Sequence, residues 1–441
     1  MLSIYTKQKS ERLNYILAEL FGRRIGVDFI VTNDESEFNK IGSAKINYSD
    51  LFFADVININ PSSLLFEEKI SQQNIQVKSH IDWNTIFFET DSEIPFDIFA
   101  ASFYLLSRYE EYLPDRQADL PNRKDEHGRF LHEQSLAFRN HFIETPLIDV
   151  WSKKLKELIH EKFPQTKIRE NQFRVLSTID IDFAYKYKGI GLIRQKLKFW
   201  NALFHGRLMD CVEQIKFNFG AINDPYDTYD FIQKISQQYK ATLIYFVLMR
   251  TGTKYDKNIS PDGDVMKRLL QKIAEKHKMG LHPSYFSDER SIGKEKYLLE
   301  KQLNKKVIKS RQHFLKFSLP ETYQALENLN FSADYSMAYS SICGFRASTC
   351  LPFLFYNLKN NTTSSLTIHS PIVMDVTLKN YEQLSIDDAI IKIEKLMREV
   401  KNVNGDFISI WHNSNLTEQS DWKNWNAVFE KMHTLAVIYS A

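Results

Sequence analysis

From Phe173 onward, short apolar runs alternate with stretches whose apolar residues recur every three or four positions, a pattern that predicts parallel strands covered by helices. The strand candidates are Phe173–Ile179, Thr242–Leu248, Met279–His282, Val307–Arg311, Ser332–Met337, Ile372–Val376 and Phe407–Trp411. Helices are predicted between them over Tyr229–Tyr239, Asp264–His277, Lys294–Lys305, Glu321–Leu329 and Asp387–Val400. Such alternation suits a barrel as well as an open sheet, and both place their chemistry at the carboxyl ends of the strands.

The chain before Phe173 reads differently. It has apolar runs at Ile25–Val31 and Leu51–Ile59, a helical stretch over Phe96–Tyr112 closed by Arg108, Glu110 and Glu111, and a second helix over Pro146–Lys162. The polar stretch Pro164–Gln172 then marks a boundary. The expected organisation is a smaller mixed α/β unit over residues 1–170 and a larger α/β unit over 171–441.

Composition narrows the class. With 43% apolar and 13% aromatic residues, and only 14 Gly and 12 Pro in 441 positions, the chain can bury large cores and holds no linker-like or low-complexity segment. The net charge of +2 argues against nucleic acid as partner. Charged residues interrupt Met1–Arg24, so a secretion signal is not expected. The most apolar run, Leu243–Met249, falls far short of the ~20 residues that span a bilayer as a helix. Cys211, Cys343 and Cys350 form no CxxC pair, which argues against a disulfide framework or thiolate zinc site and fits a reducing cytoplasm.

The strand ends carry the chemistry. They present Asp180 and Asp182 after the first strand, His282 after the third, Arg311 and His313 after the fourth, and Asp375 and His412 after the last two. Parallel adjacent strands would bring these distant residues to one mouth. Two carboxylates at i and i+2 can share the work there, one as ligand to a divalent cation and one as base toward a water it activates. His282, fixed by Pro283, is a natural zinc-class ligand, and His313 can complete the shell. Arg311 can orient a carboxylate through its paired N–H groups. His412 suits a general acid, with Asp375 holding its tautomer and raising its pKa. Neither Cys343 nor Cys350 lies in a nucleophile signature, and Gly189–Gly191 is too short for a dinucleotide fingerprint.

In this order, TIDID, GLHPSY, SRQHFL, IVMDV and ISIWH resemble the five motifs of the polysaccharide deacetylases of the NodB homology type, over roughly residues 172–441. The resemblance implies a distorted (β/α) barrel and metal-dependent removal of acetyl groups from a glycan or glycolipid precursor. It implies Asp180 as base, Asp182 as metal ligand, His412 as acid and Arg311 as the residue that orients the base, with Zn²⁺, or Co²⁺, Ni²⁺ or Mn²⁺, as cofactor. The family's second motif has two histidines four apart, whereas here His282 is followed by Phe286. Its third motif reads RPPY, where this chain has Arg311, Gln312, His313 and Phe314. SRYEEYLPDRQ and DEHGRF resemble the uncharacterised amino-terminal domain that accompanies such deacetylases in Bacteroidetes-like bacteria. Two other readings use the same residues: a DxD glycosyltransferase built on Asp180 and Asp182, and a non-catalytic carbohydrate-binding descendant of the barrel.

Overall fold

The computed structural model describes residues 1–40, 44–114 and 123–440. Within the segment SRYEEYLPDRQ, Asp115–Gln117 lie outside the described residues. The first sheet is four-stranded and parallel, with β1 (Leu2–Thr6) between β2 (Phe29–Thr32) and β3 (Ala44–Tyr48), and β4 (Ile57–Ile59) beyond β3. A small hairpin, β5 (Lys78–His80) and β6 (Asn84–Ile86), follows. The Phe96–Tyr112 stretch is shorter as an α-helix than its pattern suggests, Ile98–Leu106, because Arg108 takes a left-handed φ of 54° and the chain resumes as one 3₁₀ turn. Asp97 caps that helix, accepting from the backbone N–H groups of Phe99 and Ala100.

The second sheet has nine strands. They are β7 (Arg174–Ile181), β8 (Thr242–Leu248), β9 (Lys278–His282), β10 (Lys309–Ser310), β11 (Ala333–Asp334), β12 (Phe353–Asn357), β13 (Thr362–Ile368), β14 (Val373–Met374) and β15 (Asp406–His412). All seven expected strands are present, and the antiparallel β12–β13 hairpin is an addition. The order is β12-β13-β11-β10-β9-β8-β7-β15-β14, and among the described residues no ladder joins its two edges.

The sheet nevertheless curls strongly. β13 ends at Ile368 and β14 begins at Val373, so the chain between them spans at most about 18 Å. Seven strand spacings separate the two in the sheet order, which laid flat would be about 34 Å. Ile244 of β8, Ala333 of β11 and Ile408 of β15 accordingly meet in one inner cluster with Phe246 and Tyr335. A Cβ on Gly280 would sit 2.5 Å from the Phe246 ring, so only glycine admits that ring to the interior. The inner face has period two: Thr178, Asp180 and Asp182 follow one line, Gly280 and His282 another, Ile408, Ile410 and His412 a third.

The two sheets share one apolar core, in which Tyr15 of the first half packs on Tyr356 of β12 at 4.8 Å. Buried polar contacts cross the same seam: Arg346 donates to Glu111 at 2.7 and 3.0 Å, and Arg24 donates from Nη2 to Thr349 Oγ1 at 3.1 Å. No helix among the described residues is long and apolar enough to cross a membrane.

Candidate metal centre

At the carboxyl end of the curled sheet lies a cavity of about 240 Å³ whose lining includes Asp180, Asp182, His282, His313 and His412. These come from the ends of β7, β9 and β15 and from the turn after β10. Asp182, His282 and His313 each offer a ligand atom, and the three atoms lie within 4.8 Å of one another.

Hydrogen bonds fix each imidazole. His282 Nδ1 lies 2.5 Å from the carbonyl oxygen of Arg311. A carbonyl only accepts, so Nδ1 donates to it and Nε2 is the ring nitrogen left to face the cavity. That Nε2 faces Asp182 Oδ1 at 3.1 Å, and both atoms are buried with no hydrogen-bond partner. A nitrogen and a carboxylate oxygen this close need a proton or a cation between them, since their lone pairs otherwise repel. His313 is anchored likewise, its Nδ1 2.9 Å from Asp256 Oδ1 and its Nε2 3.5 Å from Asp182 Oδ2. The donor set, two imidazole nitrogens each fixed from behind and one carboxylate, fits a zinc-class divalent ion.

Charges follow this geometry. Burial disfavours the Asp182 carboxylate, but His313 and His282 outweigh it and hold the group well below the usual range. Burial opposes protonation of His313, and Asp182 and Asp256 overcome it, raising the imidazole to about 9. The same contest at His412, won chiefly by Asp375, raises that ring to about 10.

Asp180 sits deeper. Arg311, fully buried, places Nη1 3.4 Å from Asp180 Oδ2 and donates from Nη2 to Thr178 Oγ1 at 2.6 Å, with its guanidinium over the Phe246 ring at 4.9 Å. Asp180 Oδ1 is buried and has no partner. Opposite, His412 Nε2 lies 3.6 Å from Asp182 Oδ2, and Asp375 is wholly buried behind it. The structure thus brings all seven expected residues to one place. Phe286 is 64% exposed and packs on Tyr285 and Tyr255 away from the centre.

Three contributors were not evident in the sequence. Asp256 comes from the loop after β8, where nothing in TKYDKN distinguishes it. Asn415 donates to Asp375 Oδ2 at 3.0 Å. Arg129, from the first half of the chain, lines the cavity and donates to the Phe314 carbonyl at 3.0 Å while pairing with Asp125 at 2.7 Å. Phe314 and Leu315 both take left-handed φ values, 61° and 52°, which is costly for large side chains, and Arg129 ties down that turn. Only its place in DEHGRF gave a signal.

Residues 2–164 match a family model described as a family of unknown function (DUF7033). No curated protein matches the chain. Among solved structures, the chain is similar to a putative polysaccharide deacetylase from Mycobacterium smegmatis at 13% identity, covering 61% of this chain and 85% of that one, with a TM-score of 0.40. It is similar at 10% identity to the polysaccharide deacetylase Bc1974 from Bacillus cereus, covering 59% and 86%, with a TM-score of 0.26. A mutant of a CE4-family pseudoenzyme with restored enzymatic activity matches at 11% identity over 61% of this chain and 64% of its own length, with a TM-score of 0.31.

Proposed function

We propose that residues 171–441 form a distorted (β/α) barrel of the NodB type that removes acetyl groups from amino sugars of a glycan or glycolipid, with residues 1–170 as an accessory domain that braces the site. The observation that carries this reading is the pair of unsatisfied buried lone pairs, His282 Nε2 and Asp182 Oδ1, facing each other beside His313. Asp182, His282 and His313 would hold Zn²⁺ or a similar ion, which when bound supplies Lewis acidity to an acyl carbonyl and an attacking water.

The remaining residues divide the proton work. Asp180 takes the proton of the attacking water at Oδ1, its free oxygen, while Arg311 holds Oδ2 and keeps the carboxylate aimed. His412 delivers a proton from Nε2 to the departing amine, with Asp375 sustaining the imidazolium. Leu315 and Met374, packed together, line the cavity with an apolar surface suited to an acyl methyl group.

The glycosyltransferase reading needs both aspartates on one metal, whereas Asp180 is turned to Arg311. The test is turnover of N-acetylated chito-oligosaccharides with metal analysis of the same sample. Asp180→Asn should retain metal and lose acetate release. A wild-type protein that takes up no divalent ion would overturn the reading in favour of a carbohydrate-binding module.

A further inference from the structure

Between β7 and the helix Tyr229–Gln238 the chain inserts two further helices, Leu192–Phe204 and Leu208–Asn218. They form an antiparallel hairpin: Gln214 donates to the Gln195 carbonyl at 2.9 Å and Cys211 Sγ lies 3.7 Å from the Phe199 carbonyl. Ala202, Cys211 and Gln214 are its buried positions. Its outer face is apolar and open. Ile193, Leu197, Trp200 and Phe204 repeat at i, i+4, i+7 and i+11 on the first helix, and all are exposed, Phe204 by 82%. Leu208, Val212, Ile215 and Phe219 repeat the same spacing from the second helix, with Phe219 85% exposed. A soluble chain seldom leaves so continuous an apolar face unpartnered.

Charge selects the partner. From Leu192 to Phe219 the cations are Arg194, Lys196, Lys198, Arg207 and Lys216, against Asp210 and Glu213 alone, and the first helix carries no acid at all. A second copy of the hairpin would bring like charges together, whereas an anionic lipid surface complements them. Tryptophan, phenylalanine and leucine on one face with lysine and arginine beside them is the composition of a helix lying in a bilayer interface. We propose that this hairpin docks the protein on an anionic phospholipid surface, lying in the headgroup region without crossing it.

Its place in the fold gives the docking a consequence. The hairpin follows the strand that leads to Asp180 and Asp182, and a groove of about 500 Å³ beside it, lined by Arg194, Leu197, Lys198 and Arg207, shares Phe183 with the metal cavity. Docking would set that cavity beside lipid-borne sugars, a corollary that rests on the function proposed above, while docking itself does not.

The test is flotation of the full-length protein with vesicles of phosphatidylcholine, alone or mixed with phosphatidylglycerol, without added metal or substrate. The protein should float with the mixed vesicles, less with phosphatidylcholine, and be released by salt. The W200S/F204S variant should lower partitioning by about tenfold or more, and R194E/K196E should remove the preference for phosphatidylglycerol. As a check free of folding effects, brominated lipid should quench tryptophan fluorescence in the native protein, and less in Trp200→Phe. Absence of flotation with mixed vesicles, partitioning untouched by either double variant, or a dimer in light scattering that W200S/F204S dissolves would each overturn the proposal.

Discussion

Asp375 grips His412 at two points, accepting its backbone N–H on Oδ2 at 2.9 Å and its Nδ1–H on Oδ1 at 2.8 Å. One bond sets where β15 ends and the other sets how the ring turns, so a single buried carboxylate aims Nε2 into the cavity and favours its charged form. Asp375→Asn keeps the shape but removes the charge. Acetate release should fall by ~10²- to 10⁴-fold, the usual worth of a positioned general acid, with metal content unchanged. Steady-state kinetics beside metal analysis checks this; a loss of metal would show that Asp375 acts by holding the centre together.

A carboxylate behind a metal-ligand imidazole orients the ring and strengthens it as a donor. Asp256→Asn should therefore weaken metal affinity by ~10- to 100-fold, read by competition with a chromogenic chelator. His313→Ala should weaken it further. Adding Phe286→His to His313→Ala should restore nothing, because position 286 faces Tyr255 and solvent. Recovery of metal binding in that double variant would show that the turn can swing inward.

These residues show how unevenly a site is written in a sequence. The seven residues at strand ends were legible because an apolar run that stops at a charged residue reveals both the element and its mouth, and parallel strands stop at the same level. His313 was read as a ligand from its place two residues beyond Arg311 on an extended segment, while Phe286 in place of a histidine left open whether His313 replaces it. Asp256 and Arg129 were not legible as parts of the site, since each acts across a tertiary contact with no local pattern. The exposed hairpin was missed for another reason: its apolar repeats are as regular as those of core helices, but they face outward. The curl of the sheet was undecided as well, since alternation alone suits an open sheet or a barrel and only the short link from Ile368 to Val373 draws β13 toward β14.

Arg129 couples the halves of the chain at a turn where two successive large residues, Phe314 and Leu315, take left-handed φ. Arg129→Ala removes the donor to the Phe314 carbonyl and frees Asp125, so the turn that carries His313 should relax. The expected result is a fall in kcat/KM of ~10-fold or more, as small misplacements of catalytic groups commonly cause, with the melting temperature little changed. Hydrogen exchange at residues 313–316 supplies the second readout. Unaltered exchange together with unaltered kinetics would mean that Arg129 contributes nothing to the site.

Two histidines far from the cavity make the fold acid-sensitive. His369 lies flat on Tyr335, centroids 4.3 Å apart, and burial, then Lys309 and Arg174, push it down to about 3. His433 is buried near Ser177, and burial lowers it to about 4 despite the Phe429 carbonyl. Both rings are neutral when folded and take up protons near pH 6.5 when unfolded, so below that pH the unfolded chain binds more protons and stability declines. Each contributes about 1.4 kcal/mol per pH unit, hence about 2.7 kcal/mol per unit between pH 6.5 and 4. Glu111 adds a later loss: burial works against its charge, but Arg346 and Arg108 hold it at about 2, and that stabilisation fades from pH 4.5 downward. Urea unfolding of chelator-treated protein across this range should show the slope, since metal release then plays no part. His369→Phe keeps the ring stack and removes one titration, so it should lower the slope above pH 4 by about 1.4 kcal/mol per unit. An unchanged slope in that variant would place the acid sensitivity elsewhere in the fold.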